Sequence, residues 1–211
     1  NNDVAIVSPL TRYARSLVAS TLTAYPDPNP ETTTVDGRVQ RDGNGLNTGL
    51  SWTNDYVNWN GVGGGGATND SSTTNVMYYA HKYPLEYGIA RGFTLFDTSS
   101  LTSAASISAA TYSLYFTAKN ESTDEANSMI SVFSSTPASN TSIVQADFPN
   151  VGSTQFTSDI DITGISTGVY TDMTFNASGI SNISKTSISK FGTRSKYDYN
   201  NTAPSTDSTL V

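Results

Sequence analysis

The 211-residue chain has no cysteine, so disulfides and thiolate metal sites are both excluded. Charged residues make up only 14%, and the eleven lysines and arginines form no run. Recognition of nucleic-acid phosphates needs a clustered basic patch, and none is visible, so nucleic acid is not an expected partner. Anionic membrane surfaces are disfavoured for the same reason. No stretch approaches the ~20 apolar residues that span a bilayer, so no membrane insertion is expected. His81 is the single histidine, which leaves little for imidazole chemistry. Cysteine-free chains of this length fit prokaryotic or viral surface proteins with cores large enough to stand without cross-links.

Hydroxyls are what the chain has in abundance. Thirty serines and thirty threonines supply 60 of 211 residues, with a net charge of −7 and a pI near 4.5. Such a surface is solvated by hydroxyls and amides rather than charges. Threonine and the twelve tyrosines favour strands over helices. This profile is common among secreted and surface-displayed β proteins, and an extracellular or cell-surface location is expected. The chain opens on Asn1 rather than methionine, which is consistent with processing.

Three parts are distinguished. Residues 1–24 form an extension. Within it, 3–8 reads as a short strand ended by Pro9. Leu10, Ala14, Leu17 and Val18 fall at helical spacing, while 17–25 also reads as a second strand, and periodicity does not separate the two. Residues 25–32 place Pro26, Pro28 and Pro30 at every second position, which predicts an extended spacer of roughly 20 Å. Residues 33–211 form the domain. Strands are expected over 34–40, 50–58, 75–80, 87–96, 109–118, 129–133, 169–175 and 187–195, with a short helix at 179–184. Tyr112, Leu114 and Phe116 share one face, as do Val169, Met173 and Phe175. The segment 59–70, with glycine at 63–66, is expected to be a flexible loop. This pattern predicts an all-β, two-sheet antiparallel sandwich, a jelly roll, with an N-terminal extension strand.

Several segments, in order, resemble one family. They are Val35-Asp36-Gly37-Arg38-Val39, Arg91-Gly92-Phe93-Thr94-Leu95-Phe96-Asp97-Thr98-Ser99, and Ile107-Ser108-Ala109-Ala110-Thr111-Tyr112-Ser113-Leu114-Tyr115-Phe116. Phe175-Asn176-Ala177-Ser178-Gly179-Ile180 and Lys190-Phe191-Gly192-Thr193-Arg194 follow. The set resembles the DNRLRE-type jelly-roll domains, related to disaggregatase-type carbohydrate-binding modules, over about residues 33–205. The fold hosts sugar binding, adhesion and plain structure alike, so the resemblance is more specific for fold than for function.

The chain departs from that family at both ends. Members usually close on an apolar strand that returns to the core, whereas this sequence stops at Val211. The segment Asp3-Val4-Ala5-Ile6-Val7 has much the same pattern as that strand. A spare strand at one end and a gap at the other imply a subunit completed by its neighbour, as in donor-strand filaments. The expected partner is therefore the protein itself, in a homopolymer. Val4, Ala5, Ile6 and Val7 would be the donor strand. Leu10, Tyr13, Leu17 and Val18 would join the interface, because a six-residue strand alone scarcely exceeds the association cost of ~4–15 kcal/mol. Strands carrying Leu114, Val132 and Phe191 would line the acceptor groove. Head-to-tail contacts of this kind do not close, and give fibres.

The alternative is a carbohydrate-binding or adhesion module, in which Trp52, Tyr56 and Trp59 form a glycan platform and glycans are the partners. An enzyme is not expected, and neither is a cofactor or a metal. His81 sits between Ala80 and Lys82 as a surface or packing residue. Asp124–Glu125, and Glu86 with Asp97, are the available carboxylate pairs for a glycosidase. Asp97-Thr98-Ser99 reads better as an Asx turn. Asp42-Gly43-Asn44-Gly45 resembles a calcium loop without its closing glutamate. The glycine run lacks the Gly-Lys-Ser/Thr of a phosphate loop. Asn-x-Ser/Thr occurs at Asn69, Asn120, Asn140, Asn176, Asn182 and Asn200, about the number that chance predicts, and these are candidate N-glycosylation sites. Asn176 and Asn182 are equally candidates to cap the short helix.

Overall fold

The computed structural model describes residues 20–42, 65–70, 79–83, 86–119 and 128–203. They form β1 (Asp36–Asp42), β2 (Gly65–Asn69), β3 (Tyr79–Tyr83), β4 (Glu86–Asp97) and β5 (Thr111–Tyr115). There follow β6 (Met129–Ser135), β7 (Val151–Gln155), β8 (Ile160–Asp161), β9 (Tyr170–Thr174) and β10 (Ile188–Ser195). Two short helices, α1 (Ala177–Asn182) and α2 (Lys196–Tyr199), lie on either side of β10. Every strand pairing is antiparallel, and the molecule is the all-β sandwich expected from its sequence.

The two layers are unequal. Among the described residues, one sheet has eight strands along the path β2-β1-β4-β10-β6-β7, with β3 beside β4 and β8 beside β6, and the other has β5 and β9. The long strand β4 shows how one sheet serves two cores. Successive side chains of a strand point to opposite faces. Ile89, Phe93 and Leu95 enter one cluster with Val39, Phe133 and Phe148. Ala90 enters the other, with Tyr112, Leu114, Met173, Phe175 and Phe191, and Phe96 packs against it. The second cluster is the interlayer under β5 and β9. The first is covered by the segment from 136 to 150, which ends in a 3₁₀ turn over Gln145–Asn150. Asp147 ties that cover together, accepting hydrogen bonds from the backbone N–H groups of Ala138 and Val144 and from Asn150 Nδ2.

A buried charge cluster fastens α2 to the sheet. Asp198 receives Nε and Nη2 of Arg91 at 2.7 Å each, and the same two atoms of Arg194 at 2.9 Å each. The guanidinium of Arg91 lies 4.1 Å from the Phe148 ring centre. Its Nη1 donates to the carbonyl of Phe148, and Nη1 of Arg194 donates to that of Gly152. Burial opposes ionisation of Asp198, but the two guanidiniums outweigh it and hold its carboxyl below the usual range.

Several expectations are corrected. The segment 59–70 is not loop throughout, because Gly65–Asn69 pairs with β1 from Arg38 to Asp42. The pairing is an antiparallel ladder, and Gly37 allows close approach: a Cβ there would lie 2.7 Å from the Asn69 carbonyl oxygen. The proline spacer is not a rod. Asp27 Oδ2 accepts from Thr32, Thr33 and Thr34 N–H groups and from the Thr32 hydroxyl, while Asp27 N–H donates to Thr34 Oγ1. An Asx-type fold thus wins over polyproline extension, and the segment turns back onto the buried Thr34. Residues 20–25 adopt neither helix nor strand. Val169 does not share the buried face of Met173 and Phe175, because it precedes β9 and is half exposed. Strands β7 and β8 were not anticipated.

Candidate functional site

The feature that invites a partner is the small sheet. β5 pairs with β9 from Thr111–Thr174 to Tyr115–Tyr170. Its inner face is built as the sequence predicts, with Tyr112, Leu114 and Phe116 buried. Tyr112 reaches across the interlayer to β4, its hydroxyl 2.6 Å from that of Thr94, and its ring packs against Phe96, Phe175 and Phe191. Burial pushes its phenol pKa up, with the Thr94 bond opposing. The contacts of β5 and β9 therefore fall on the middle of the large sheet. Among the described residues no strand of the second layer extends over β1.

The outer face of the small sheet carries three cross-strand pairs. Tyr115 and Tyr170 meet edge to face, with ring centres 5.2 Å apart, and both are more than half exposed. Ser113 Oγ donates to Asp172 Oδ1 at 2.6 Å. Thr111 lies opposite Thr174. The aromatic pair was not singled out from the sequence, because twelve tyrosines give no signal of which are exposed. The alternation of β5, read outward as well as inward, would have shown Tyr115 opposite the Tyr112–Leu114 face.

Leu114, Val132 and Phe191 come together in one cluster, but all three are buried. They are floor and wall of the filled interlayer rather than of an open groove. The donor and interface residues Val4, Ala5, Ile6, Val7, Leu10, Tyr13, Leu17 and Val18 lie outside the described residues. So do the platform Trp52, Tyr56 and Trp59, the pair Asp124–Glu125, the sequon Asn120 and the glycines of the calcium-like loop. His81 lies in β3 opposite Gly88. Glu86 and Asp97 stand at the two ends of β4, separated by its full length, so they do not form a carboxylate pair. Asp97 is an Asx turn, with Oδ1 accepting from Ser99 N–H at 2.9 Å; hydrogen bonds from Ser99 lower its pKa.

The five remaining sequons differ in their surroundings. Asn176 is the N-cap of α1: its Oδ1 accepts from Gly179 N–H and its Nδ2 donates to the Gln155 carbonyl. Asn182 Nδ2 donates to the Lys190 carbonyl. Asn140 and Asn200 are exposed. Asn69 is a half-buried residue of β2.

Among the described residues, no three His, Asp or Glu side chains come together to hold a metal. No helix among them is long and apolar enough to cross a membrane. A shallow depression of about 460 Å³ beside α1 is lined by hydroxyls, including Ser134, Thr154 and Ser178, with no charged residue. Comparison with protein-family models, with curated proteins and with solved structures returned no match.

Proposed function

We propose that this protein is a non-enzymatic structural subunit of an extracellular filament, assembled head to tail by donor-strand exchange. The observation that carries this reading is that, among the described residues, a two-stranded layer faces an eight-stranded one. A sheet edge presents unpaired N–H and C=O groups that template another strand. A small sheet over a large one offers such an edge to an added strand. The apolar run of residues 4–7, which the sequence reading takes as part of a strand over 3–8, would supply a donor segment of suitable length. The DNRLRE-type resemblance of the domain is compatible with a surface role.

Removing residues 1–9 tests the reading. The expected result is a chain that stays monomeric or loses its cooperative unfolding transition. Electron micrographs showing filaments of normal length from the truncated chain would overturn it.

The exposed Tyr115–Tyr170 pair beside Asp172 favours a second reading, a carbohydrate-binding or adhesion surface. Aromatic faces with neighbouring hydroxyl and carboxylate groups suit sugar rings. Here the chain would run as a monomer, and glycan-array binding would be lost on Tyr115→Ala or Tyr170→Ala.

A further inference from the structure

We propose that Ser131 and Gln155 join in an intramolecular ester bond that ties β6 to β7, with Asp159 carrying the proton. The inference stands apart from the filament reading and does not depend on it.

The ladders on one edge of β6 bring the three side chains together. Gln155 of β7 pairs with Phe133. Ser131 lies two residues before Phe133 and shares its face, so it is the diagonal neighbour of Gln155, within reach of a long side chain. Asp159 arrives from β8. Met129 pairs with Asp161 and Ile130 with Ile160, and one further step along that ladder sets Asp159 against Ser131. Between Gln155 and Asp159 the chain stays on β6: Phe156 N–H donates to the Val132 carbonyl, and Val132 N–H donates to Thr157 Oγ1.

Three atoms close a triangle. Ser131 Oγ donates to Asp159 Oδ1 at 2.6 Å. Gln155 Nε2 donates to Ser131 Oγ and to Asp159 Oδ1, at 2.8 Å each. The other carboxylate oxygen, Oδ2, accepts from the Tyr199 hydroxyl at 2.7 Å and lies 3.9 Å from Lys196 Nζ. Ser131 is buried, and Gln155 and Asp159 are half-buried. One carboxylate oxygen thus touches both the hydroxyl that must lose a proton and the amide nitrogen that must gain one. That is the arrangement of nucleophile, base and leaving group that acyl transfer needs.

The step balances without a co-reactant. Asp159 Oδ1 takes the Ser131 hydroxyl proton as Oγ bonds to Gln155 Cδ. The same oxygen passes that proton to Nε2 as the Cδ–Nε2 bond breaks, and ammonia leaves. Nothing is oxidised or reduced. The terminal torsion of a glutamine is broad, so the amide can turn its face to Oγ within the site. Reactants held in this way reach effective molarities of ~10⁵–10⁸ M, which offsets the low reactivity of an amide. Ammonia lost to solvent draws the exchange forward. The result is a covalent tie in a chain that has no cysteine to make one.

Mass spectrometry of the folded full-length chain tests this. The expected mass is that of the sequence less one ammonia. Digestion of the denatured chain after acidic residues cuts at Asp147, between Ser131 and Gln155. The peptides on either side should stay joined until hydroxylamine, which cleaves esters and spares amides, separates them. Ser131→Ala and Gln155→Glu should each show their full sequence mass. Asp159→Asn should slow bond formation by roughly 10²–10⁴-fold, the usual worth of a general base. The native chain decides the matter even where a variant fails to fold. A folded native chain at its full sequence mass would overturn the proposal. So would an ammonia loss mapped elsewhere, such as Asn44-Gly45 or Asn60-Gly61, or hydrolysis of Gln155 to the free acid.

Discussion

Asp198 lies on the side of the large sheet away from β5 and fully inside the protein, and it neutralises two arginines that would otherwise repel each other. Arg91 and Arg194 stand one step beyond the Gly92–Thr193 pair on adjacent strands, so their guanidiniums approach from the same face. Replacing the two charges and their counter-charge by apolar groups would remove the desolvation cost as well as the attraction. Removing the carboxylate alone takes from two buried cations the counter-charge they share, and breaking a buried pair in this way typically costs about 3–5 kcal/mol. Asp198→Asn keeps the size of the side chain and should lower the unfolding free energy by about that amount, read from urea denaturation. The pH dependence has a fixed sign. The folded-state pKa of Asp198 is depressed, so its stabilisation is present above the unfolded carboxylate pKa of ~3.9 and is lost as pH falls through the folded value. The native chain should therefore lose stability in acid more steeply than Asp198→Asn, and equal acid limbs would show that the pair is not coupled to folding. None of this was legible in the sequence. Arg194 and Asp198 are four apart and readable as a helical pair, but Arg91 is 107 residues away from Asp198.

At the scale of elements, strands with strict alternation were legible and strands without it were not. Tyr112, Leu114 and Phe116 announce β5, and the apolar run in β4 announces a strand buried on both faces. In β7, Val151-Gly152-Ser153-Thr154-Gln155 carries one apolar residue and gives no period, and its pairing with β6 is broken by a register shift. Besides its pairing with β6, β7 packs closely on β10. A Cβ added at Gly192 would lie 2.7 and 2.8 Å from the two methyls of Val151, so the two strands meet where one has no side chain. Gly192→Ala should destabilise the domain by about 1–3 kcal/mol through overpacking, measured as a fall in the denaturation midpoint. Adding Val151→Ala makes room and should recover part of that loss. If the double variant is instead additively worse, the contact between β10 and β7 is not the constraint.

For the whole molecule, the relevant quantity is a net charge of −7 carried by every copy of the chain. Copies of the same chain repel at long range, whatever holds them at contact. The Debye length is about 30 Å at 0.01 M salt and about 8 Å at 0.15 M, so added salt removes that repulsion before it reaches buried contacts. An interface of backbone hydrogen bonds and apolar side chains has little electrostatic attraction to lose. If the chain assembles as proposed, elongation should therefore quicken as salt rises over that range, by roughly tenfold, the low end of what charge does to association rates. Light scattering of a fixed subunit concentration across a salt series reads the rate directly. An interface built on opposite charges would show the reverse slope, slowing as salt rises, and that result would count against donor-strand exchange and in favour of contact between complementary charged patches. The two slopes differ in sign, so the measurement separates a backbone-templated filament from an electrostatically templated one without knowledge of the helical symmetry.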